Sequence, residues 1–156
     1  MREAVAEGEY QLDTEAEVEV AREDWRVIYP FVVPMRIGTT VVQASVADSV
    51  TERIEGLSGT PFLPENVVKL FVFNREGEHA IWMKDMNYPL DILWVAEEGE
   101  IVHIEENVSP DTYSAENPRA SRSYQSPVPA WFVIEANAGF VASNTIAVGD
   151  KVVLPR

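Results

Sequence analysis

The apolar positions of this chain alternate more often than they recur at helical spacing. The densest run is Ala80 to Val95, AIWMKDMNYPLDILWV. Two apolar stretches, Ala80–Met83 and Leu90–Val95, flank Asp85–Pro89, which predicts a β-hairpin with a longer loop. Alternation puts Leu90, Ile92 and Trp94 on one face and Asp91, Leu93 and Val95 on the other. An unpaired carboxylate in that second, apolar row is costly, so Lys84 across the loop is the expected partner of Asp91. Thr39 to Asp48 alternates and is rich in β-branched residues, which predicts a strand. Val67–Phe73, Ile101–Glu105, Trp131–Glu135 and Lys151–Leu154 read the same way. Turns at Asn74–Glu78 and Glu97–Glu100 between them suggest an antiparallel meander.

Helical signals are few. Ser49-Val50-Thr51-Glu52 has the form of a capping box and opens a helix over Val50–Leu57, stopped by Gly56 and Gly59. Asn137–Ser143 is a helical turn or short helix. Near the start, valines thinly alternate among acids, which predicts an edge strand over Ala16–Ala21 after a flexible beginning. Trp25–Met35 is apolar but holds Pro30 and Pro34, so it is expected as an extended edge segment or linker. The fold class expected is mainly β: a small, partly closed antiparallel barrel or sandwich of about seven strands with one or two short helices. The organisation expected is an acidic flexible segment over 1–24, an apolar extended segment over 25–36, and one β-rich domain over 37–156.

Several short blocks stand in a recognisable order: Trp82-Met83-Lys84, Pro89-Leu90-Asp91-Ile92, Glu135 with Ala138-Gly139, and Gly149-Asp150 with Val152. Together they resemble the bacterial and archaeal family called "domain of unknown function 192", over about Ile37 to Leu154. Arg53 and Gly56-Leu57 match the family's short helix, while Val68-Lys69 stands where the pattern has Gly-Met. The resemblance implies no reaction. Members often carry an export signal or membrane anchor ahead of the domain, which implies a protein working outside the cytoplasm.

Charge narrows the partners. The formal net charge is −14, and half of it lies between Met1 and Asp24, where nine acids face two arginines. Such a surface repels phosphate backbones, so nucleic acid is not an expected partner. No apolar run reaches the ~20 residues of a membrane span, although an anchor could have been removed ahead of Met1. With no cysteine in the chain, disulfides and thiolate chemistry are excluded. A monomer without a cofactor is expected.

Candidate chemistry is sparse. Asp91 and Glu135 sit inside apolar strands, and two buried acids with Lys84 as electrostatic partner are the only set that suggests a hydrolase. The reading favoured for the same acids is structural, as anchors paired with Lys84 or an arginine or accepting backbone amides. His79 and His103 are the histidines; His103 with Glu105 is the best pair for a metal, but no familiar ligand spacing is present. Aromatic and polar residues are more suggestive. Trp82, Tyr88, Tyr113, Arg119, Tyr124 and Trp131 lie on the central segment, the long loop Glu106–Pro129 and the strand after it. Sugars and peptides stack on such platforms. The expected function is therefore an extracytoplasmic binding module for an envelope polysaccharide or a protein. A hydrolase using Asp91 and Glu135, and a structural accessory domain docking through Trp25–Met35, are the alternatives.

Overall fold

A computed structural model describes residues 14–155. The flexible beginning expected for the acidic segment falls largely outside these residues. Glu15–Glu23 is a helix, α1, where an edge strand over Ala16–Ala21 was expected. The reason is a capping box: Thr14 Oγ1 accepts from the Glu17 amide at 3.1 Å, and the Glu17 carboxylate accepts from the Thr14 amide at 3.1 Å. Glu15 and Glu17 in the first turn and Arg22 in the last complement the helix dipole.

Seven strands form one curled sheet, a half-barrel: β1 (Val33–Ile37), β2 (Thr40–Ala47), β3 (Val67–Gly77), β4 (Leu90–Val95), β5 (Ile101–Val108), β6 (Ala130–Asn137) and β7 (Val152–Val153). Their order is β5-β4-β6-β3-β2-β1-β7. This is not a simple meander. β2 and β3 run parallel, joined through helix α2 (Val50–Glu55), and β6 inserts between β3 and β4. The expected hairpin is accordingly absent. Leu90–Val95 is a strand, but its neighbours are β5 and β6, and Ala80–Pro89 crosses as a loop with one bridge, Ile81 to Tyr124. Nor is Trp25–Met35 a linker: it makes a 3-10 turn, buries Ile28 and Tyr29, and supplies β1, with Pro34 in a strand held between β2 and β7.

Strand alternation divides the buried side chains into two groups. One face draws on all seven strands, through Ile37, Ala44, Leu70, Leu93, Ile101, Ile134 and Val152, and is plugged by Phe140 and Val141 of helix α3 (Phe140–Ser143). The other face carries Val67, Phe71, Ile92, Trp94 and Val133 and is covered by Ile28, Leu57, Met83 and Tyr124 from the connecting segments. The curl is drawn together where β7 meets the β4–β5 turn. The Val152 amide donates to the Gly99 carbonyl at 2.7 Å, and the Ile101 amide to the Asp150 carbonyl at 2.9 Å. Only glycine fits at position 99, because φ is +97° and a Cβ would lie 2.5 Å from the Val152 carbonyl oxygen.

Candidate functional site

The site is built by two loops lying over one patch of the β3–β6 ladder. Ser49 caps α2 and Glu52 reciprocates, as the sequence indicated. Arg53 then turns its guanidinium to the carbonyls of Asp48 and Val72, at 2.8 and 2.9 Å, which pins the helix to the edge of β3. Gly56 ends the helix at φ +49°, and a Cβ there would stand 3.0 Å from the Phe71 ring. The chain beyond is latched to the Ala80–Pro89 loop. Ser58 Oγ donates to the Lys84 carbonyl at 2.7 Å, the Gly59 amide to the Asp85 carbonyl at 2.9 Å, and the Asn87 side chain to the Thr60 carbonyl at 3.0 Å. Thr60 Oγ1 and the Tyr88 hydroxyl share a hydrogen bond of 2.7 Å.

Between these loops lies a cleft of about 270 Å³, walled by Leu57, Phe71, Ile81 and Met86 and by the charged side chains of Arg53 and Glu55, with Trp82 at its mouth. Glu135 is at its floor. Its register partners are Lys69 on β3 and Ile92 on β4, so all three point to the same face. Glu135 is 4 % exposed, and among the described residues nothing donates a hydrogen bond to its carboxyl. Lys69 is equally buried, but its ammonium is turned to Ser45 Oγ at 3.1 Å and forms no ion pair with Glu135. Burial pushes the Glu135 carboxyl up to about 7, with the charge of Lys69 partly opposing that rise. Burial also pulls the Lys69 ammonium below its usual range, opposed by Glu52, Glu135 and Glu55. Tyr29, buried nearby, and Tyr88, partly buried, are both raised by desolvation.

Asp91 is elsewhere. It precedes Ile92, the partner of Glu135, so it hangs from the opposite face of the sheet. Its carboxylate accepts from the Asn107 and Val141 amides, both at 2.9 Å, and so ties β5 and α3 to β4. Two expectations are thereby corrected. Asp91 and Glu135 share no cleft, and Lys84 is exposed and partners neither acid, its carbonyl serving only the Ser58 latch. The missed residue is Lys69. A lysine in the middle of the apolar run VVKLFVF was the signal, because strand alternation seats it on the same face as Phe71.

The aromatic set divides. Trp82 is 46 % exposed and meets Tyr113 edge-on, with ring centres 5.1 Å apart. Tyr88 is held in the latch. Tyr124 is buried, and the Arg122 guanidinium covers its ring at 4.6 Å. Trp131 is half-buried, with an indole N–H that lacks a partner. Arg119 is exposed on the long loop. His103 does meet Glu105, at 3.1 Å, but among the described residues no third His, Asp or Glu joins them to hold a metal ion.

A larger cleft, about 420 Å³, lies between the start of β2 and α3. Three of its polar side chains are engaged: Thr40 donates to Asn144 at 3.2 Å and Asn137 to the Leu63 carbonyl at 2.6 Å. The smaller cleft is the candidate because its central polar group is not.

The model of the family described as "Uncharacterized ACR", domain of unknown function 192, matches residues 33–154. The chain belongs to that family. The curated proteins contain no match to it. Among solved structures it is similar to a candidate transcription regulator from Sinorhizobium meliloti 1021, with 26% identity, a TM-score of 0.68, and 78% of this chain and 92% of that one covered. It is also similar to a protein of unknown function from Novosphingobium aromaticivorans DSM 12444, with 26% identity, a TM-score of 0.69, and coverage of 79% and 85%. In this family member, then, the short helix, the Trp82–Asp85 loop and Glu135 come together around one cleft.

Proposed function

We propose that this protein is a non-catalytic binding module whose ligand enters the Glu135 cleft. The observation that carries the reading is a carboxyl group, almost wholly buried and without a hydrogen-bond donor, at the floor of an open cleft. A buried polar group left so is costly, and a ligand that satisfies it recovers that cost. The Trp82–Tyr113 pair at the mouth supplies an aromatic surface for stacking. The ligand class is a segment of an envelope polysaccharide or of a protein, and the setting is outside the cytoplasm. That setting rests on the export signals and anchors common among family members. The regulator assignment of the S. meliloti protein is not carried over, because 26 acids against 12 bases repel a phosphate backbone.

A hydrolase working through Asp91 and Glu135 is not supported, since the two acids occupy opposite faces of the sheet. The accessory-domain reading retains Phe31, 86 % exposed, with Val27 and Val33 less so, because Ile28, Tyr29 and Met35 are buried.

The test is a fragment and oligosaccharide screen by amide and indole NMR shifts. Perturbation confined to Gly56–Ser58, Trp82 and Glu135, and lost in Trp82→Ala, is the expected result. Perturbation mapping instead to the cleft beside α3 would overturn the reading.

A further inference from the structure

We infer that the Glu135 cleft takes a primary ammonium group carried on a short apolar chain, an inference that rests on the binding-module reading above and names its ligand chemistry. Three observations converge on it. First, the floor offers a carboxyl oxygen that accepts no hydrogen bond among the described residues: the Lys69 ammonium is turned to Ser45 Oγ, and Arg53 Nη1 donates to two backbone carbonyls. Second, Leu57, Phe71, Ile81 and Met86 give the cleft an apolar wall, beside the polar side chains of Arg53 and Glu55, along which a hydrocarbon stem can lie as its polar end reaches Glu135. Third, the charges around the site favour a cation. Glu55 lines the cleft with Glu135, and Glu52, Glu55 and Glu135 all act on Lys69, so three acids stand against the two bases Lys69 and Arg53, in a chain that carries −14.

An ammonium–carboxylate contact at this largely buried carboxyl is a charge-assisted hydrogen bond, the strongest class available to Glu135. A neutral hydroxyl would satisfy the same oxygen with less gain. Trp82 completes the arrangement, since its exposed ring lies where the stem leaves the cleft and indole faces favour cationic and aliphatic groups. An ammonium on such a stem occurs both in lysine side chains of proteins and in free alkylamines.

The test is the NMR shift of the Trp82 indole and Gly56 amide in the intact protein, titrated with n-butylamine, n-butanol and the blocked peptide acetyl-Gly-Lys-Gly-amide. The amine is expected to bind at least about tenfold tighter than the isosteric alcohol, and Glu135→Gln to remove that preference. A peptide that binds more tightly than n-butylamine supports a protein partner, whereas exclusion of the peptide supports a free amine. Equal binding of amine and alcohol would overturn the ammonium inference while leaving the cleft a binding site. No shift in the cleft with any probe would overturn both. The comparison of amine with alcohol on the unaltered protein decides the matter even where Glu135→Gln fails to fold.

Discussion

Lys69 and Glu135 stand directly opposite each other across the antiparallel β3–β6 ladder, both buried, yet the ammonium of Lys69 is turned away to Ser45. Two opposite charges share a face without closing on each other. Glu135 is left at the base of a cleft, with a raised proton affinity.

The first consequence is a pH dependence of stability. Unfolded, this glutamate releases its proton near 4.5; folded, it holds it to about 7. Between those values the native state binds more protons than the unfolded state, so stability falls as pH rises. Taken alone, the group costs about 3 kcal/mol above the window relative to below it. Urea unfolding at about pH 5 and about pH 8 should show this loss, and Glu135→Gln should flatten it.

Lys69 holds the Glu135 carboxyl down by its charge. Replacing it with a neutral side chain of similar length, Lys69→Met, should therefore move the carboxyl above 7. Carbon-detected NMR titration of Glu135 reads this directly.

Asp91 makes the opposite case, a buried acid fully occupied. In Asp91→Asn the amide nitrogen faces one of the two backbone amides that now donate to the carboxylate. The expected loss is about 3 kcal/mol, seen as a lowered chemical-denaturation midpoint with no change in ligand contacts at the Glu135 cleft.

Closure of the curled sheet depends on the approach of the Gly99 and Val152 backbones. Gly99→Ala puts a methyl group 2.5 Å from a carbonyl oxygen at φ +97°. Destabilisation by more than about 2 kcal/mol is expected, with hydrogen exchange quickened first in β7 and in the turn before β5.

Much of this fold was legible from the alternation of apolar residues. β2, β4 and β6 lie where the pattern put them, and the Ser49–Glu52 capping box marked the start of α2. What misled was the assumption that neighbouring apolar runs pair with each other. Ile81 and Met83 have the look of a strand, but they cover the sheet, and β6 takes the place beside β4 that Ala80–Met83 was given. The same reliance on nearness in sequence misplaced the partner of Asp91. Lys84 is close along the chain, but the carboxylate is held by the Asn107 and Val141 amides, and Lys69 comes opposite Glu135 only through the pairing of β3 with β6, which no local pattern reveals. In α1, the alternating valines imitated a strand and the Thr14–Glu17 capping box decided for helix. Glu135 itself was visible as an acid in an apolar strand. Its role depended on knowing which acid lacked partners, and only tertiary contacts show that.

The most direct measurement is the carbon-detected titration of the Glu135 side-chain carboxyl in the unliganded protein. A midpoint near 7, well above the ordinary value for a glutamate, is the expected result. A midpoint at the ordinary 4.5 would mean that the carboxyl is solvated or already paired, and the cleft would lose the group on which the proposed function rests.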